Sequence, residues 1–256
     1  KYESSSIIKT VLRLSFLIIS LISLISVIII TILMLNKIYT KSFSKKINYE
    51  LVDELFNQYS NYLMKGIGIG YLLFLEHQDV FTVGRFNSQK YDLSSQINKI
   101  PIKKSSRGGD ITYHGDGQLV FYPILNVSLL AIKLKNLVSI LEKSLVRTLE
   151  NFNIIAKPRM NGPGVWIDDY KIASIGISFK KGISFHGISI NFDTNLNKQE
   201  LIDACGDSSL KIGNIEHFAK INKSKFKELF NNIFYSELIN ISNYPKKKLI
   251  SLVAES

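Results

Sequence analysis

The chain has 256 residues, 46% of them hydrophobic, and a net charge of +11, which is enough for one substantial domain or two small ones with a packed core. The charge is uneven. Residues 1–46 hold seven Lys or Arg against Glu3, so +6 sits there and only +5 is spread over the other 210 residues, too thin a field for a nucleic-acid-binding face. Cys205 is the single cysteine, which excludes an internal disulfide and a cysteine-based zinc site.

Leu14 to Leu35 is a run of 22 residues without a charge, longer than the roughly 18 that suggest a membrane span and than the 7–15 or so of a signal-peptide core. The basic, polar stretch Asn36 to Asn48 follows. Two readings stand side by side: a retained anchor touching the membrane through residues 14–35, or a secretory signal followed by a Lys- and Ser-containing transit segment. The second points to a secondary, apicoplast-like plastid, and the Ile, Lys and Asn bias fits such a setting. A mitochondrial or membrane-anchored location is the alternative. These features divide the chain into a signal or anchor plus basic segment (1–47), a catalytic domain (48–240) and a tail (241–256).

Tyr49 to Met64 has the apolar spacing of an amphipathic helix. Gly66 to Gly70 precedes a strand instead of joining strand to helix, so it reads as a loop and not a dinucleotide fingerprint. Leu72 to Glu76 and Phe81 to Val83 read as short strands. Val127 to Asn151 reads as one long helix with Leu130, Leu134, Leu137, Leu141 and Leu145 on a stripe. A strand meander follows over Val165 to Ile167, Lys171 to Phe179 and Ile183 to Phe192, with turns at Asp168-Asp169 and Lys180-Lys181-Gly182. Gln199 to Asp203 reads as a helical turn and Lys223 to Ile239 as a last amphipathic helix. Runs of strands followed by helices predict an α+β domain with a mixed, mostly antiparallel sheet.

The stretch from Arg107 to Gln118 holds four glycines. Glycines so dense let backbone approach a ligand closely, so this segment is read as part of a site. Lys171 leaves an acidic turn into a small, apolar strand, Tyr170-Lys171-Ile172-Ala173-Ser174-Ile175-Gly176, where a lysine is partly desolvated and able to exchange protons. Cys205 stands before Gly206 on a loop. A cysteine becomes a nucleophile as its thiolate, which a nearby cation favours, so Lys171 and Cys205 form a candidate acid/base and nucleophile pair. The bland alternative is a turn lysine and a buried thiol. His77, His114, His186 and His217 are too dispersed for metal-ligand spacing. His114 is read as a loop-orienting or substrate-contacting group, and His186 equally as a structural one.

Arg107-Gly-Gly-Asp-Ile-Thr-Tyr-His-Gly-Asp-Gly-Gln118, followed by Tyr122-Pro123, resembles the signature of the lipoyl(octanoyl) transferases. The resemblance continues in family order through Leu73 to His77, Phe81 to Arg85, Gly164-Val165-Trp166, Lys171 to Gly176, His186 to Asn191 and Cys205-Gly206. The 34-residue interval from Lys171 to Cys205 fits the family's spacing, and coverage runs from about residue 49 to 235. The resemblance implies a biotin/lipoate protein ligase-like α/β fold and transfer of an octanoyl group from octanoyl-acyl carrier protein to a lysine of a lipoyl domain. The acceptors it implies are the lipoyl domains of 2-oxoacid dehydrogenase complexes or the glycine cleavage H protein. It implies Cys205 as nucleophile and thioester carrier, Lys171 as catalytic lysine, and no cofactor or metal. It places substrate binding on Arg107, Gly108, Gly109, Asp110, Ile111, Thr112, Tyr113 and His114, on Ser174, Ile175 and Gly176, and on Gly187, Ile188 and Ser189. Acyl carrier proteins and lipoyl domains are acidic, which suits the mild positive charge. The chain departs from the family pattern at Ala204 and Asp116, where proline is usual, and at Asp207, where an apolar residue is common. Other readings are an ATP-dependent lipoate or biotin ligase of the same fold, a non-catalytic module that binds lipoyl domains, and a thioester hydrolase.

Overall fold

The computed structural model describes residues 16, 18–26, 37–85, 92, 95–160, 162–202, 210–242 and 250–253. Within the uncharged amino-terminal run, residues 18–26 are helical with exposed side chains, and among the described residues no helix is long and apolar enough to cross a membrane. The rest of that run lies outside the described residues.

Among the described residues, eleven strands form two sheets. The larger is built from β1 (Lys37–Ser42), β2 (Gly70–Leu75), β7 (Gln118–Leu125), β8 (Gly164–Ile167), β9 (Tyr170–Lys180), β10 (Ile183–Asn191) and β11 (Ile250–Val253), in the order β11-β1-β2-β7-β10-β9-β8. β1 runs parallel to β2 and β11, and the remaining pairs are antiparallel, so the sheet is mixed as the strand pattern predicts. β2 and β7 are buried along their whole length. That is why they read as continuous apolar runs and not as alternating ones.

The two faces of the large sheet are covered by different helices. α1 (Val52–Met64) carries Val52, Phe56, Tyr59 and Leu63 onto Leu73, Leu75, Val120 and Tyr122. α2 (Leu134–Glu150) and α4 (Lys223–Ile241) lie on the opposite face, where Leu137, Leu141, Leu145, Phe226, Phe230 and Phe234 meet Leu72, Phe74 and Phe121. Each fully buried Leu or Phe contributes roughly 1.5–3 kcal/mol, and this second face holds the larger core. The smaller sheet, β4 (Gln96–Ile97), β5 (Ile100–Lys104), β3 (Val80–Val83) and β6 (Ile111–His114), carries its own apolar cluster around Phe81, Ile102 and Tyr113.

Four features differ from the sequence reading. The long helix starts at Leu134, not Val127, because the Asn126 side chain accepts from the Leu129 N–H at 2.9 Å and Ala131 takes φ +53°, a turn conformation that ends helix propagation. The helical turn after the meander is α3 (Leu196–Gln199), earlier than Gln199 to Asp203, and Asp203 lies outside the described residues. The basic stretch grouped with the leader contributes β1, whose Ile38 and Thr40 are buried on one face while Tyr39 stacks on Tyr71 on the other and Lys41 is exposed. The tail contributes β11. Asp116 pairs with Lys46 at 2.7 Å, so the residue standing in place of the usual proline ties the glycine loop to that same amino-terminal stretch.

Candidate functional site

The site begins with a gap in the backbone ladder between β7 and β10. The two pair from Ile188 to Asn191 and join again through the isolated bridge Asn126↔Ile183 and the Ser184 hydroxyl, which donates to the Pro123 carbonyl and accepts from the Leu125 N–H. Pro123 sits opposite the gap and has no N–H to donate, which interrupts a ladder. Gly187 packs so closely there that a Cβ on it would overlap the Phe121 carbonyl oxygen. His186, beside it, is held at φ +60°, an uncommon conformation for a residue with a side chain. Gly187→Ala is expected to cost about 1–3 kcal/mol through overpacking, read as a lower urea midpoint.

The glycine-dense loop that leads into β6 lies against β3 and β9. Its backbone is pinned on two sides: Gly84 donates to Asp110 and Arg85 to Arg107 at the end of β3, and Gly108 donates to Ile177 of β9. A Cβ at Gly84 would overlap the Gly109 carbonyl oxygen, so the approach needs glycine on the β3 side. The Arg107 guanidinium is buried and donates to the Thr82 carbonyl at 2.6 Å, the Thr82 hydroxyl at 2.9 Å and the Gly108 carbonyl at 3.0 Å. Together these elements enclose a cavity of about 360 Å³, within the range of roughly 300–1,000 Å³ of small-molecule sites.

Three buried histidines lie in this region, and two of them, His114 and His186, are close enough to feel the Arg107 charge. Burial pushes His77 down to about 4 and His186 down to about 3, where the Arg107 charge adds to the effect. Burial, then the neighbouring His77 and Arg107, holds His114 well below its ordinary value. Neutral rings fix the hydrogen bonds. His77 donates from Nδ1 to the Ile47 carbonyl (3.0 Å) and accepts at Nε2 from the Tyr122 hydroxyl (2.8 Å). His114 donates from Nδ1 to Gln118 Oε1 (2.7 Å), whose amide donates onward to Asn191 Oδ1 (3.0 Å). The His186 ring shares a 2.8 Å hydrogen bond with the Ser106 hydroxyl. Among the described residues no group of three His, Cys, Asp or Glu gathers as metal ligands.

Lys171 reaches the cavity from the start of β9. It is buried, with its Nζ 5.0 Å from the Trp166 ring centroid, and Gly164 leaves room for its stem, since a Cβ there would stand 2.8 Å from Lys171 Cε. Its backbone holds a second strand of chain: Lys171 donates to Lys211 at 2.8 Å and accepts from Gly213 at 3.1 Å. Cys205, Ala204 and Asp207 lie outside the described residues, but Lys211, six positions beyond Cys205, is fastened to Lys171. On the other side Ile202 packs against the apolar cluster of the small sheet.

Of the residues singled out from the sequence, Arg107 to Thr112, His114, Lys171, Ser174 to Gly176 and Gly187 to Ser189 all line this one cavity. Tyr113 does not. As the alternate residue of β6 its side chain points the other way, fully buried in the small sheet's cluster with its hydroxyl donating to Asp79 at 2.7 Å. The sequence reading missed Val120, Tyr122, Gly162 and Pro163 as lining residues. Tyr122-Pro123 stood in the motif and could have flagged the wall. Gly162-Pro163 carried only a turn signal.

The lipoyl protein ligase A/B catalytic domain family matches residues 46–249. An octanoyltransferase from Buchnera aphidicola subsp. Acyrthosiphon pisum is 36% identical over 165 residues, 64% of this chain and 77% of that protein. One from Shewanella woodyi is 34% identical over 175 residues, covering 66% and 79%. Among solved structures, a lipoate-protein ligase A bound with ATP matches with a TM-score of 0.62 at 16% identity, over 78% of this chain and 85% of that one. A bi-partite lipoate protein ligase from Thermoplasma acidophilum matches with a TM-score of 0.58 at 14% identity, over 85% and 87%. At such identities the structural likeness speaks for the fold.

Proposed function

We propose a two-step acyl transfer, from the premise that this chain belongs to the lipoyl(octanoyl) transferase family, with the lipoyl protein ligase A/B catalytic domain matched over residues 46–249. The activity is octanoyl transfer for protein lipoylation. In the first step the Cys205 thiolate attacks the acyl carbon of octanoyl-acyl carrier protein. The new C–S bond forms, the donor's C–S bond breaks, and the donor leaves as a thiol, taking from Lys171 the proton that Cys205 gave up. In the second step the lysine amine of a lipoyl domain attacks the enzyme thioester. The amide C–N bond forms, Cys205 is released, and the amine's proton passes through Lys171. The octanoyl chain lies in the cavity between the glycine loop and β9–β10.

The observation that carries this reading is the convergence of the glycine loop, β10 and Lys171 on one cavity, with the chain beyond Cys205 fastened to the Lys171 backbone. Exchange of one thioester for another needs no nucleotide, so the ATP-dependent alternative predicts different behaviour. Wild-type chain incubated with octanoyl-acyl carrier protein and no ATP should gain one octanoyl mass, and Cys205→Ser should gain none. Activity that needed ATP and survived Cys205→Ala would overturn the thioester route. Free octanoate released in the presence of a lipoyl domain would identify a hydrolase instead.

For the amino terminus we propose the leader reading, on the strength of a long uncharged run followed by basic residues. Processing then falls before Lys37, because β1 belongs to the sheet. A fluorescent protein fused behind residues 1–36 should reach an organelle, and diffuse cytosolic fluorescence would count against the proposal.

A further inference from the structure

Gly164, Val165 and Trp166 form most of β8, at the edge of the large sheet. None of the three lines the acyl cavity. Their register on β9 gives them another task. Val165 opposes Ala173, but Trp166, one step further along β8, opposes Lys171. β9 therefore carries one extra residue, Ile172, between the two pairs. A bulge of this kind re-aims a side chain. With regular pairing Trp166 would oppose Ile172, whereas here it stands directly across from Lys171, and directly opposed residues share a face. The Lys171 Nζ lies 5.0 Å from the indole centroid. That is inside the roughly 6 Å at which a ring face attracts a cation, and tryptophan attracts most strongly. Gly164 packs against both side chains, since a Cβ on it would stand 2.8 Å from Lys171 Cε and 3.4 Å from Trp166 Cζ3. The Glu142 carboxylate of α2 holds that glycine by accepting from its N–H at 3.2 Å.

We infer that Trp166 is a positioning residue for acyl transfer, its ring face holding the Lys171 ammonium at the wall of the cavity. This rests on the role of Lys171 in the proposed two-step route. The Lys171 backbone is fixed on both edges, by β8 on one side and by Lys211 and Gly213 on the other. Its side chain is long, and a buried lysine gives up much rotamer freedom. The indole that faces it is already immobile: it is 1% exposed, and the Trp166 backbone exchanges two 2.9 Å hydrogen bonds with Lys157. A ring locked by its own packing can hold a flexible reacting group in one place.

Trp166 is the only tryptophan in the chain, so tryptophan analogues supplied to an auxotrophic host change this ring alone. Fluoro-, difluoro- and trifluorotryptophan drain negative charge from the ring face with little change of shape. The kcat for octanoyl transfer should fall stepwise along that series, by about fivefold or more in all. KM for octanoyl-acyl carrier protein should stay the same, because the ring lies outside the cavity lining. Methyltryptophan, which is larger but as electron-rich, should keep most of the activity. A loss that follows ring size, with methyltryptophan worse than the fluorinated rings, would confine Trp166 to packing and overturn the inference. A kcat indifferent to fluorination would overturn it as well. Should the substituted chains not fold, Trp166→Phe keeps a ring face and should retain more kcat than Trp166→Leu, and equal loss in the two counts against the inference. If the unsubstituted chain transfers no octanoyl group, the two-step reading itself fails and the role of Trp166 in it falls too.

Discussion

Lys171→Ala is expected to lower octanoyl transfer by roughly 10²–10⁴-fold, the range for removing a positioned acid or base. The lysine lies buried in the wall of the cavity, and in the proposed route it carries the proton that the acceptor amine must lose. The backbone bonds to Lys211 and Gly213 do not involve the side chain, so the loop beyond Cys205 should keep its anchor in the variant. The alanine variant also loses the stem packed against Gly164 and the contact with Trp166. Lys171→Met separates the two effects, because it keeps an apolar stem of similar length and deletes only the charge and the proton. Both variants should lose transfer to a similar extent, with the methionine variant unfolding close to wild type in urea. A methionine variant retaining activity within tenfold of wild type would confine Lys171 to a packing role. Octanoyl mass should still accumulate slowly on Cys205 in either variant, since the thiol remains.

The cavity was legible in the sequence because its walls come from three contiguous segments, each marked by glycine. The structure gives the reasons: a Cβ on Gly84 or Gly187 would overlap a backbone oxygen, and Gly109 takes φ +85°. The failures have separate causes. Tyr113 sat inside the motif, but strand alternation turns it away from its neighbours Thr112 and His114 on β6. β1 showed the alternation of a half-buried strand in Ile38 and Thr40, yet its lysines matched a leader's composition, and its partner β2 is 28 residues further along. Contacts that distant in sequence leave no local pattern. Phe226, Phe230 and Phe234 do, since their spacing alone aligns them on one helix face, and all three are fully buried. His186 was undecided from sequence because its positive φ and its place in the cavity wall are properties of the assembled sheet.

The histidine cluster should make the fold acid-labile well above the pH at which carboxylates protonate. An unfolded histidine titrates near 6.5, whereas folded His77 and His186 titrate near 4 and 3 and His114 is also held far down. Between these limits the unfolded chain binds protons that the fold rejects, so stability falls as pH falls. The contribution is complete above pH ~6.5 and is lost progressively on the way to the folded values. Each ring contributes up to about 1.4 kcal/mol per pH unit, hence about 4 kcal/mol per unit for three. For a domain at the low end of the usual stability of roughly 5–15 kcal/mol, that slope is enough for cooperative unfolding with a midpoint near pH 5. Circular dichroism across pH 7 to 3 should show a transition whose steepness corresponds to about three protons taken up. His77→Gln keeps a donor for the Ile47 carbonyl and should reduce that number by about one. A melting temperature that does not move between pH 7 and 5 would mean that the rings take up protons without opening the fold. In that case Arg107, ringed by carbonyl oxygens from Thr82 and Gly108, would have to tolerate new positive charge beside it, which is the arrangement the buried cluster is least able to accommodate.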